Sequence, residues 1–252
     1  MTRPKAALFV TCLADSFRPA AGFAAARLLE QAGCDVTVPA QTCCGQPAHN
    51  AGDAKDAAAL ARKVIAGFEP FDYVVAPSGS CAATIKLHYP EMLKDDAAWA
   101  RRAEALAART YELFSFLVNV RGMKGVTAAC PRVAAYHDSC SSLREMKVAG
   151  EPRALLAGVE GLALRDIPET EVCCGFGGFF ALKYPEISAR MADDKLGNIL
   201  TTGADLLIGG DLGCLLHLAG RAARRGEKLE VRHAAEVLAG MTDGPAIGED
   251  EK

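Results

Sequence analysis

The triplet CCG occurs twice in this chain, at 43–45 and 173–175, and the sequence around it is written twice in the same order. KAALFVTC at Lys5–Cys12 answers to VAAYHDSC at Val133–Cys140. CDVTVPAQTCCG at Cys34–Gly45 answers to LRDIPETEVCCG at Leu164–Gly175, and FDYVVAPSGSC at Phe71–Cys81 to ADLLIGGDLGC at Ala204–Cys214. Matched cysteines are offset by 128, 130, 130 and 133 residues, the slow drift of a duplicated unit that has taken small insertions. Such a chain must fold one architecture twice. The frame assigns a first unit to 1–125, a second to 126–243 and a disordered acidic tail to 244–252. The boundary falls in the glycine-rich stretch Arg121–Pro131.

Each copy predicts the same local structure. LFVT, DVTV and DYVVA are apolar, β-branched runs of strand length, and AAYH, LALRDI and DLLIGG take their places in the second copy. Helix-like stretches lie between them: Ala20–Gly33 and Asp53–Phe68 in the first copy, EPRALLAGVEG and PEISARMADDKLGNILTTG in the second, the latter two ending at glycine. RTYELFSFLVNV and RHAAEVLAGM read as closing helices, and Glu91–Ala108 as a helical insertion confined to the first copy. Strands alternating with helices imply parallel pairing. The expected fold is therefore α/β: two tandem, pseudo-symmetric βαβ-type units with parallel sheets. Cysteines that follow the strands then gather at the C-terminal rim of each sheet, where α/β folds bind ligands.

Two four-thiol sites result: Cys12, Cys43, Cys44 and Cys81, and Cys140, Cys173, Cys174 and Cys214. Four thiolates suit zinc or an iron–sulfur cluster. No CxxC pair is present, so the folded sheet rather than a local knuckle must assemble each site. Gly45 and Gly175 allow the sharp turn that aims adjacent sulfurs at one point, and the amides of Gly177 and Gly178 are candidate donors to sulfur. An alternative has one cysteine of each pair binding metal while its neighbour packs, because adjacent residues of an extended chain face opposite sides. Ten cysteines in a chain with no export signal imply a cytoplasmic setting, where cysteine clusters serve metals or redox chemistry. A net charge of -3 gives no electrostatic case for nucleic acid, and no apolar run approaches the length that spans a bilayer.

The doubled order of single cysteine, CCG and final cysteine resembles the CCG-domain family of iron–sulfur proteins, over about Lys5–Met241. That family includes the cysteine-rich component of heterodisulfide reductase, the iron–sulfur subunit of glycolate oxidase, and a lactate-utilisation branch. HDSCSSLREM at His137–Met146, CCGFGGFFALKYPEIS at Cys173–Ser188, DLGCLLHLAGR at Asp211–Arg221 and PSGSC at Pro77–Cys81 look like the lactate-utilisation branch in particular. The resemblance implies an electron-transfer subunit, not working alone, of a cytoplasmic complex that oxidises L-lactate to pyruvate. It implies one or two clusters of the 4Fe-4S type on the eight cysteines, with zinc an alternative at one site. Partners would be the other subunits, with a small 2-hydroxy acid as substrate. A heterodisulfide reductase or glycolate oxidase type of carrier, or a zinc-stabilised scaffold, are the competing readings. Motifs of the wider family often end in CxxC; here Ser78 and Asp211 stand at the first of those positions, leaving four cysteines per site. Asp211 then either offers an oxygen or caps a turn. The residue after Cys140 is Ser141, where the branch leads one to expect histidine.

The remaining candidates have plainer roles. Cys34 and Cys130 lie outside the repeated frame and read as structural. His137 either donates to a cluster sulfur or bonds to backbone, and His233 reads as a helix cap. Arg144 and Lys183 fall near the second site, where they either offset its charge, bind a carboxylate or face solvent. GFGG lacks the spacing of a dinucleotide loop. No catalytic residue is identified.

Overall fold

The computed structural model describes residues 2–249. The chain divides into two compact units between Gly122 and Met123. The first holds a parallel sheet of β1 (Lys5–Leu8), β2 (Asp35–Thr37), β3 (Tyr73–Ala76) and β4 (Thr110–Glu112), in the order β2-β1-β3-β4. The second repeats it with β5 (Val133–His137), β6 (Ala163–Arg165), β7 (Leu206–Gly209) and β8 (Glu230–His233), in the order β6-β5-β7-β8. The two-fold α/β expectation therefore holds.

Central strands are covered on both faces, which is why they read as unbroken apolar runs. Ala6, Ala7, Leu8, Val74, Val75 and Ala76 are all fully buried. The edge strands β2 and β6 are three residues long and mostly exposed. The covering helices keep one buried stripe. In Ala54–Phe68 it is Ala57, Ala61, Val64, Ile65 and Phe68. In Pro185–Leu200 it is Ser188, Ala192, Lys195, Leu196 and Ile199, at the same spacing. Each fully buried Val, Leu, Ile or Phe of such a stripe contributes about 1.5–3 kcal/mol.

Two features differ from the sequence-based expectation. The closing segments are not helical throughout: each begins with a strand, β4 or β8, before its helix. Thr110 pairs with Val74, and Val231 with Leu207, so partnership with the neighbouring strand overrides the helical spacing of the residues that follow. Part of the expected disordered tail is packed instead. Ala246 and Ile247 are buried, and the Ile247 amide donates to the Val231 carbonyl at 2.9 Å. An apolar pair gives this stretch something to bury, so Gly244–Glu249 fold back along β8. The rest of the expected tail lies outside the described residues.

Strand order fixes where a ligand belongs. In each unit the chain leaves the first strand to pair on one side and returns to pair on the other. This creates a crevice beyond the carboxyl ends of β1 and β3, and likewise of β5 and β7.

Candidate metal centres

In the first unit the four expected cysteines meet at that crevice. Cys12 opens the helix Cys12–Phe17 directly after β1. Its N-cap, Thr11, accepts from the Ala14 amide at 3.3 Å through Oγ1. Thr11 sits at φ 76°, a region costing a β-branched residue roughly 1–3 kcal/mol. Cys43 and Cys44 follow β2 and precede Gly45, whose φ of 87° starts the helix Gln46–Asn50. Cys81 lies in the first turn of the helix Gly79–Ala83, beyond β3. The thiols of Cys12, Cys43, Cys44 and Cys81 form one continuous chain of hydrogen-bonding contacts in that order. The Gly45 amide donates to Cys43 Sγ at 3.4 Å, and the buried Tyr89 hydroxyl donates to the Cys44 carbonyl at 2.8 Å.

The second unit repeats the arrangement with Cys140, Cys173, Cys174 and Cys214. Gly175 turns at φ 84° and its amide donates to Cys173 Sγ at 3.4 Å. Cys214 lies in the first turn of the helix Leu212–Arg225, whose amide end favours a thiolate. Both members of each CC pair belong to the thiol chain, Cys43 and Cys173 half-buried and Cys44 and Cys174 buried.

Charge within each chain concentrates on one sulfur. Hydrogen bonds from Cys12 and Cys44 hold the Cys43 thiol down to about 2, and those from Cys140 and Cys174 do the same for Cys173. The partners Cys12 and Cys140 are pushed up, chiefly by that same hydrogen bond and then by burial. Four sulfurs in contact resist ionising together, and a cation among them removes that resistance. The donor chemistry therefore fits a thiolate-bound metal or cluster. All ten cysteines are free thiols.

The surroundings of the two sites differ. At the end of β5, His137 stands where the first unit has the fully buried Phe9. It is 1% exposed, and neither ring nitrogen has a hydrogen-bond partner. A ring nitrogen and the sulfurs of Cys174 and Cys214 lie within 4.8 Å of one another. Burial, aided by Lys195, pulls the imidazole down to about 3. Asp138, opposite Val10 of the first copy, takes a two-pronged bond from Arg153 at 2.8 and 2.7 Å. Lys195, fully buried at the position of Val64, donates to the Thr170 carbonyl at 3.0 Å. Burial lowers its ammonium, opposed by Asp138 and the thiols of Cys174, Cys173 and Cys214. Lys195 and Arg153 belong to no motif and escape a motif-based search. Their signal is the superposition of the copies, where a charged residue falls on an apolar one.

Other candidates separate cleanly. Cys34 precedes β2, with Arg3 and Arg121 nearby, and Cys130 precedes β5 among Arg132, Glu230, Arg232 and Asp205. Both are buried at the amino ends of strands, away from the thiol rims. Asp211 caps its helix by accepting from the Gly213 amide at 3.2 Å. His233 caps the last helix through Nδ1, completed by Glu236. Arg144 is exposed and donates to the Glu171 carbonyl at 2.8 Å, while Lys183 lies over the Tyr184 ring. The amide donors beyond the pair are those of Gly175 and Phe176, in place of the expected Gly177 and Gly178; the latter two supply positive-φ turns.

Comparison with known proteins places this doubled frame. The cysteine-rich domain family, CCG, matches residues 6–86 and again 134–219. Lactate utilization protein A of Shouchella clausii is 49% identical over 92% of this chain and 97% of its own length. The proteins of the same name from Bacillus cereus and Halalkalibacterium halodurans are 46% and 48% identical over 93% of this chain, covering 98% and 96% of theirs. Among solved structures, a hypothetical protein from Helicobacter pylori matches all of this chain with a TM-score of 0.68 at 14% identity, a likeness of fold alone. This chain spans 52% of that protein. Two matched repeats and near-half identity over almost the full length give one conclusion: the chain belongs to the CCG cysteine-rich domain family, among the relatives named lactate utilization protein A.

Proposed function

We propose that this chain is a metal-binding, electron-transferring subunit of a system that oxidises L-lactate to pyruvate, with Cys12, Cys43, Cys44 and Cys81 as one ligand set and Cys140, Cys173, Cys174 and Cys214 as the other. The observation that carries the reading is the meeting of four thiols at the ligand crevice of each sheet. The relatives' shared name supplies the lactate context. A 4Fe-4S cluster held there supplies one-electron redox chemistry. The chain's own residues turn adjacent sulfurs to one point through Gly45 and Gly175, and place amides against Cys43 and Cys173. They also shield Cys44 and Cys174 from water.

Oxidation of lactate releases two electrons and two protons, so a one-electron carrier requires a donor and an acceptor on other proteins. Phe179, Leu182, Tyr184 and Ile187 are large apolar residues exposed just after Cys173–Cys174, and give such a partner a surface beside the second site. No helix among the described residues is long and apolar enough to cross a membrane. The mixed nitrogen–sulfur surroundings of His137 also suit zinc, which makes a zinc-held second site the rival reading.

Anaerobic purification with iron, zinc and acid-labile sulfide analysis separates the two. Iron and sulfide in similar amounts, with an EPR signal on reduction, is the expected result. Zinc without sulfide overturns the electron-transfer reading. Loss of growth on L-lactate in a deletion strain, restored by this chain and not by its Cys43→Ser/Cys44→Ser variant, is expected for the lactate role.

A further inference from the structure

The second site carries a buried donor with nothing to bond to. His137 ends β5 with its ring wholly enclosed, and both of its nitrogens lack a partner. Leaving buried polar atoms unbonded is costly, so a protein retains such a group where something else satisfies it. The ring is not stranded at random. One nitrogen lies within 4.8 Å of Cys174 Sγ and Cys214 Sγ, which themselves lie within that distance of each other. Two sulfurs and an imidazole nitrogen this close together could serve one metal ion.

The first unit provides the internal control. Its matched residue is Phe9, fully buried in the same place with no donor atom. The position therefore accepts an apolar ring, and packing alone does not demand histidine. Asp211, the other donor that the sequence offers near Cys214, is engaged in capping the helix Leu212–Arg225. His137 is the donor aimed at the sulfurs.

We propose that His137 is a ligand of the second site, which is thereby a mixed imidazole–thiolate centre, whereas the first is held by thiolates alone. The proposal rests on the metal-binding reading above and adds an asymmetry to it. A neutral imidazole adds a nitrogen donor without adding charge, so the two centres differ in ligand type.

The test uses the full chain, purified anaerobically as wild type, His137→Cys and His137→Phe, with the metal it carries. His137→Cys keeps a donor in place; His137→Phe reproduces the first unit. Circular dichroism confirms that each is folded. For an iron–sulfur centre, pulsed EPR of the reduced protein reads hyperfine coupling to directly bound 14N; for zinc, X-ray absorption at the zinc edge reads the imidazole outer-shell scattering. The expected result is a bound-imidazole signature in wild type and in Cys43→Ser/Cys44→Ser. That signature is lost in His137→Cys, which keeps the wild-type metal content, and in His137→Phe. Wild type that carries metal without the signature overturns this proposal and leaves the metal reading standing, as does a signature that survives His137→Cys. Wild type that carries no metal overturns both.

Discussion

Gly45 and Gly175 do the same backbone work under different crowding. Both turn at strongly positive φ, which an L side chain adopts at a cost of about 1–2 kcal/mol. A Cβ at Gly45 would meet Leu60 Cβ at 3.4 Å, an ordinary contact, whereas one at Gly175 would lie 2.6 Å from the Ser188 carbonyl oxygen and 2.8 Å from Met191 Cβ. That oxygen belongs to the helix Pro185–Leu200, which would have to move. Gly45→Ala is therefore expected to destabilise by about 1–2 kcal/mol, and Gly175→Ala by a further ~1–3 kcal/mol of overpacking. Urea unfolding of the two variants checks this, and equal losses would show that crowding plays no part. Both turns are legible in the sequence because CCG repeats and glycine is the residue for such angles. The crowding is not, since it depends on a helix that begins ten residues downstream of Gly175. His137 is legible as a candidate, but its two unbonded nitrogens are visible only once the ring is seen enclosed.

At the scale of elements, sequence patterns locate strands set apart from helices, exposed edges β2 and β6 included, and miss those that run directly into a helix. β1, β3, β5 and β7 are central, and their apolar runs announce them. β4 and β8 are edge strands that pass straight into helices, so the helical spacing of FSFLVNV and AAEVLAGM hides them. The helices of the second unit are tied by charge in a way their separate sequences do not display. Asp193 on Pro185–Leu200 receives Arg221 of Leu212–Arg225 at 2.8 and 2.6 Å, and Arg225 at 3.1 Å. These hydrogen bonds hold the Asp193 carboxyl down to about 2. Its folded value thus lies below the ordinary value near 3.9, so its contribution is complete above about pH 4 and fades as pH falls toward 2. The three side chains are each a quarter to a third exposed, which keeps the effect to about 1 kcal/mol. Asp193→Asn should lower the urea midpoint at pH 6, and the gap to wild type should close as pH approaches 2. A gap that stays constant over that range would refute the linkage.

For the whole molecule, duplication made two sites and later divergence made them unequal. Where the first has Phe9, Val10 and Val64, the second has His137, Asp138 and Lys195, three apolar positions against three ionisable ones. Asp138 is matched by Arg153, which leaves Lys195 as a buried positive group near the sulfurs of the second set. A nearby positive charge favours the more negative, reduced state of a thiolate-bound centre, and low local dielectric strengthens that effect. Under the electron-transfer function proposed above, the second centre should therefore have the higher potential. An EPR-monitored reductive titration of the full chain is expected to resolve two midpoints. Cys173→Ser/Cys174→Ser should remove the upper one and Cys43→Ser/Cys44→Ser the lower, each lowering metal content by about half. Lys195→Met, which fills the same space without charge at a position where the first copy has valine, should lower the upper midpoint and leave the other unmoved. A single midpoint, or an upper one that survives loss of Cys173 and Cys174, would mean that the exchange of apolar for charged residues serves packing and not electron flow.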